Sequence, residues 1–158
     1  MRERWSRLQR HGLIVWRLSW AERGTLVEAW LLLQGVALAL RFLSFQRIYG
    51  FLERTSPPAS LATGDERLPT DQVRGLVYLV NGAATHNLFP ITCLQRSMVL
   101  WWLLRRRGIA SELRIGVRKE QGQFAAHAWV EHQNLALNDR ADIGREFAPF
   151  DKTVWSVR

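Results

Sequence analysis

Three side chains in this sequence could together cleave an amide: the thiol of Cys93, the imidazole of His127 and a carboxylate such as Asp139. A cysteine nucleophile needs a base within hydrogen-bond reach and a third group that holds the base in orientation. Cys93 follows Thr92, a good helix N-cap, and opens an apolar-periodic stretch that runs to Arg107. Unpaired backbone N–H groups and the helix dipole at such a start favour the thiolate. The same N–H groups can hold the oxyanion formed when the thiolate attacks a carbonyl. His127 lies in Ala126-His-Ala-Trp-Val-Glu131, where small neighbours leave the ring room and Trp129 and Glu131 share its face. The bland alternative is a packed cysteine and a satisfied strand histidine.

The orienting acid has three candidates, Asp139, Asp142 and Glu131. Opposed residues of an antiparallel pair share a face and keep a constant index sum. A three-residue loop at 132–134 pairs Glu131 with Leu135 and sets Asp139 opposite His127. A two-residue loop, Gln133-Asn134, places Arg140 there instead, and a five-residue loop brings in Asp142. The expectation is Asp139, in the three-residue register or through a bulge that gives the same result, with Asp142 in reserve.

The elements that must position these groups are legible in outline. Residues 26–52 carry Leu26, Trp30, Leu33, Ala37, Leu40 and Leu43 at threes and fours, one kinked helix or two shorter ones. This apolar face exceeds what the core obviously requires, so a docking surface is expected around Trp30, Leu33 and Ala37. Residues 55–70 hold Pro57, Pro58, Gly64 and Pro69 and read as a loop; 71–84 are helical again. Three arginines in the last turn and Gly108 close the Cys93 helix. The period then drops to two, with strands expected at 112–118, 124–132 and 135–139 and a fourth within 147–157, where Pro149 marks a bulge or an edge. Helices first and an antiparallel meander after make one α+β domain, comprising a basic segment 1–24, the apolar helical region 26–52, the loop 55–70 and a catalytic core 92–158.

Composition removes other classes. The 158 residues fit a single domain, and no unbroken apolar run reaches membrane-spanning length. Cys93 is the only cysteine, so an internal disulfide and thiolate-rich metal sites are excluded. No signal-peptide pattern opens the chain, which points to the cytoplasm. The net charge of +8, from 20 Arg and 2 Lys, attracts nucleic acid, anionic lipid or acidic peptide without distinguishing them. No zinc-finger spacing, RNA-recognition motif or Gly-Lys-Ser/Thr phosphate loop is present, so neither a cofactor nor a nucleic-acid partner is expected.

Thr92-Cys-Leu-Gln-Arg-Ser97, Trp102-Leu-Leu-Arg-Arg-Arg-Gly108, Leu113-Arg-Ile-Gly-Val-Arg118 and Ala126-His-Ala-Trp-Val-Glu131 together resemble the lasso peptide biosynthesis B proteins. The likeness extends upstream to Trp20-Ala-Glu-Arg23, Glu28-Ala-Trp-Leu-Leu-Leu33 and Leu43-Ser-Phe-Gln-Arg47. Those are transglutaminase-like cysteine proteases that remove the leader from a ribosomally made precursor, so the resemblance implies a papain/transglutaminase-like core. It carries the nucleophile to Cys93, the base to His127 and the orienting acid to Asp139. The protease helices begin close to the first residue of the sequence, so the expectation is the split (B2) form, whose leader-recognition domain is a separate protein. That form implies three partners: the precursor peptide, a separate leader-recognition protein and an ATP-dependent cyclase that closes the macrolactam. The rival readings are a non-catalytic basic module for peptide or nucleic acid, and a related acyl transferase or amidase.

Overall fold

The computed structural model describes residues 18–56, 70–120 and 122–150. Most of the basic segment, the centre of the 55–70 loop and the last eight residues lie outside these. Helix α1 spans Trp20–Phe42 and starts earlier than periodicity implies, because Ser19 and Glu22 form a reciprocal capping box. It ends before Ser44, and α2 (Phe45–Arg54) follows, so the apolar region is two helices. Helix α3 covers Thr70–Thr85 and α4 covers Cys93–Arg106. Four strands, β1 (Glu112–Glu120), β2 (Gln123–His132), β3 (Leu135–Ala136) and β4 (Ala148–Pro149), form one antiparallel sheet in the order β3-β2-β1-β4. A one-turn helix, α5 (Ile143–Glu146), lies between β3 and β4. The expected α+β class holds; the plain meander does not. The chain crosses from β3 to the far edge, where Pro149 pairs Gly116 on β1 and its missing N–H leaves no central ladder broken.

Helix α4 is the centre of the molecule. It packs on α1, α2 and α3 on one side and on β1 and β2 on the other. Met98, Val99, Leu100, Trp101, Leu103 and Leu104 are buried there with Ala29, Leu33, Val80, Leu113 and Val130. Alternation along β2 divides its side chains between this core and a smaller one on the other face, made by Trp129, Ile143 and Phe147. Tyr49 of α2 stacks on Trp101, ring centroids 4.9 Å apart, and so ties the outer helices to the central one.

Two expectations fail here. The docking surface expected around Trp30, Leu33 and Ala37 is not formed by those three: Leu33 is fully buried and Ala37 buried, while Trp30 is half-buried against the core with its indole donating to the His86 carbonyl at 3.1 Å. Helix α1 does expose Val27, Leu31, Leu38 and Phe42, on its other side. By length and composition α1 is apolar enough to cross a membrane, which a count of unbroken apolar residues does not reveal, yet its Ala29, Leu33, Val36 and Ala37 are taken up by the core. The β2–β3 register is also not the expected one. Glu131 pairs Ala136 and His132 pairs Leu135, the two-residue loop, with Gln133 and Asn134 both at positive φ, 51° and 62°. Left-handed conformation at both positions is the hairpin turn whose twist matches the strands.

Candidate active site

Cys93 is the first residue of α4. Thr92 caps the helix: its hydroxyl accepts the Gln95 N–H at 3.3 Å, and the Gln95 side chain accepts the Thr92 N–H at 2.9 Å. This cap uses the third helical N–H and leaves those of Cys93 and Leu94 outside it. The thiol is half-buried. At the other end, Gly108 takes φ +75° and the Ile109 N–H returns to the Leu104 carbonyl, turning the chain into β1. Because Glu112 at the start of β1 pairs Glu131 near the end of β2, the C-terminal end of α4 lies toward Glu131. The Ser97 hydroxyl donates to the Ala128 carbonyl at 2.9 Å, fixing α4 against the middle of β2. One turn back from Ser97, Cys93 therefore lies toward the His127 end of that strand.

His127 and Asp139 are joined directly, Nε2 to Oδ2 at 2.6 Å, with the two side chains only 21% and 17% exposed. Burial pushes the Asp139 carboxyl up, but the Arg140 N–H on Oδ1 (2.9 Å), the His127 hydrogen bond, the charge His127 carries when protonated and, least, the nearby Arg96 charge outweigh it and hold the group below its ordinary value. An ionised carboxylate only accepts, so Nε2 carries the proton and Nδ1 is the ring nitrogen left to act as a base. His127 packs with its ring centroid 6.2 Å from Trp129 and 5.2 Å from Phe147. Gly116, opposite His127 in the β1–β2 pair, makes this packing possible. A Cβ there would stand 3.0 Å from both the Trp129 ring and Phe147 Cβ and 2.9 Å from the Ala148 carbonyl oxygen.

Neither of the other candidate acids is bonded to His127. Glu131 accepts the Trp129 indole at 2.8 Å and Arg114 at 2.9 Å. Asp142 is the exposed residue before α5. Thus the structure brings His127 and Asp139 together and sets Cys93 toward the same end of β2. Among the described residues no hydrogen bond joins the thiol to the imidazole. No group of three His, Cys, Asp or Glu among the described residues could hold a metal ion.

Sequence reasoning missed two residues that build this corner. Asn138 is buried, its Oδ1 accepting the Val130 N–H and its Nδ2 donating to Ser97 Oγ, both at 2.9 Å. The available signal was Ser97 itself, a hydroxyl at a core position four residues after Cys93 in an apolar helix. A groove of about 230 Å³ also opens between α1 and the Phe89–Pro90 turn, lined by Ala37, Leu38, Leu40, Arg41 and Gln95.

Helices packed on one face of an antiparallel sheet, with a lone thiol opening the central helix, define an α+β domain of the transglutaminase-like type. The family model of the transglutaminase-like superfamily matches residues 29–151, and the chain belongs to that superfamily. Its members are commonly catalytic cysteine enzymes. No curated protein and no solved structure matches the chain.

Proposed function

We propose that this chain is a cysteine peptidase that removes the leader from a ribosomally made lasso precursor peptide. The observation that carries the catalytic part is the 2.6 Å bond between His127 Nε2 and Asp139 Oδ2, which fixes the tautomer and leaves Nδ1 as base. The sequence resemblance supports the substrate class. In this reading Cys93 Sγ, deprotonated by His127, forms a C–S bond to the carbonyl at the leader–core junction, and the Cys93 N–H meets the oxyanion. The C–N bond breaks as the imidazolium returns its proton to the departing amine. Water, deprotonated by His127, then hydrolyses the thioester and releases the leader as a carboxylate. The core keeps a free α-amine for a partner ATP-dependent cyclase, and a separate leader-recognition protein presents the substrate. A reducing cytoplasm suits the single free thiol.

The test is cleavage of a lasso precursor by the purified chain with its leader-recognition partner, followed by mass spectrometry. Cleavage that leaves a free core amine and vanishes in Cys93→Ala is the expected result; cleavage retained in Cys93→Ala overturns the reading. Superfamily membership supports a second reading, transfer of the same thioester acyl group to an amine. A leader recovered as the amide of added methylamine, with no hydrolysed leader, would favour it.

A further inference from the structure

Resting on the cysteine-peptidase reading, we propose that Ser97 and Asn138 are positioning residues. Their buried relay turns Asp139 onto His127 and locks that pair to the helix carrying Cys93.

The β2–β3 register raises the question. With Glu131 opposite Ala136 and His132 opposite Leu135, a ladder continued unbroken sets Arg140 opposite His127 and turns Asp139 to the other face. Asp139 nevertheless reaches His127. The reason lies one residue earlier. The Leu137 N–H still donates to the Val130 carbonyl at 2.9 Å, but the reciprocal Val130 N–H goes to Asn138 Oδ1. In an antiparallel pair that N–H belongs to the Leu137 carbonyl. The Asn138 side chain thus stands in for the main chain, β3 ends at Ala136, and the backbone is free to bring Asp139 across.

The other half of the amide faces the helix. Asn138 Nδ2 donates to Ser97 Oγ, and Ser97 Oγ donates onward to the Ala128 carbonyl. Ser97 is fully buried and Asn138 nearly so, and every polar atom of the relay has its partner. Buried polar groups without water to fall back on hold their geometry tightly. Three of the four residues the relay joins, all but Val130, also lie close in sequence to one of the proposed catalytic three. Ser97 stands one turn after Cys93, Ala128 follows His127, and Asn138 precedes Asp139. A slip in the relay displaces all three together.

The experiment compares the whole chain with Asn138→Ala and Ser97→Ala by two measurements. The first is the NMR resonance of the His127 Nε2–H proton, assigned by its loss in His127→Gln and seen only while the ring is bonded to Asp139. The second is kcat and KM for precursor cleavage. The proposal expects both variants to fold by circular dichroism and to lose the proton resonance to solvent exchange. It also expects kcat to fall by about 10²-fold with KM unchanged, as a small displacement of reacting groups does. Where Asn138→Ala does not fold, Ser97→Ala, which removes one oxygen, decides alone. A folded variant that keeps the resonance and the wild-type kcat overturns the proposal and leaves the pair merely structural. If the wild type cleaves nothing while the resonance is lost in both variants, the peptidase reading fails and the positioning of His127–Asp139 stands.

Discussion

Helices α1 and α4 are both rich in apolar residues, yet the molecule uses them in opposite ways. Helix α4 lies between the other helices and the sheet, so its apolar residues are buried around most of its circumference. A polar group in it is tolerated only when satisfied, and Ser97 is. Helix α1 belongs to the outer layer. It buries Ala29, Leu33, Val36 and Ala37 and leaves Val27, Leu31 and Leu38 more than half exposed. Composition says that a helix can be buried; its place in the layers decides which side is. The inner helix, held from both sides, is the one that carries the proposed nucleophile.

The largest expected effect follows from that sandwich. Trp101 is 1% exposed, is stacked by Tyr49 and lies on α4 between the two layers. Trp101→Ala should cost about 3–5 kcal/mol, the range for removing a buried aromatic whose cavity cannot collapse. Urea unfolding measures it. A loss below about 1 kcal/mol would mean that α4 is not the element on which the layers converge.

The inner helix was also the most legible part of the sequence, because its punctuation is local. The Thr92 cap, the arginines of the last turn and Gly108 each act within one turn of the residue that carries the signal. Alternation marks strands at 112–118 and 124–132, which the structure extends to 112–120 and 123–132, and of the bulge or edge that Pro149 signals the structure has the edge. The His127–Asp139 partnership was expected for a reason the structure corrects. From the sequence, Asp139 comes opposite His127 through the three-residue register or through a bulge with the same result. In fact the ladder stops, and the side chain of Asn138, through a contact with a helix 41 residues away in sequence, does what register cannot. No local pattern encodes such a contact. The exposed side of α1 was illegible for the same reason: an apolar stripe on each face looks alike until the neighbouring layer is known.

An intermediate effect tests whether the His127–Asp139 pair contributes to folding. Burial alone would raise the Asp139 carboxyl, but the Arg140 N–H, the His127 hydrogen bond and charge and, least, the Arg96 charge on α4 hold it low. A carboxyl whose folded value lies below its unfolded one adds stability above the unfolded value, and that stability is lost as pH falls through the folded one. Wild type should therefore lose stability as the pH falls through and below the ordinary carboxylate range, and Asp139→Asn, which cannot titrate, should lose less over the same interval. Urea midpoints across that range measure the difference. Parallel curves for the two proteins would show that the His127–Asp139 bond contributes nothing to folding.

The smallest effect belongs to the outer face of α1, and its smallness is the point. Leu31 and Leu38 are 58% and 57% exposed in the middle of a capped 23-residue helix. Burial energy scales with area removed from water, so side chains that stay in water forfeit little when made polar. Glutamine is close to leucine in helix propensity, so the backbone has no reason to object. Leu31→Gln and Leu38→Gln should each change stability by no more than about 0.5 kcal/mol, the ordinary range for surface substitutions. The paired control is Leu33→Ala on the inner side of the same helix, fully buried against the core. That substitution should cost about 2–5 kcal/mol. Comparable losses from Leu31 and Leu33 would mean that α1 is enclosed on both sides, which would erase its difference from α4.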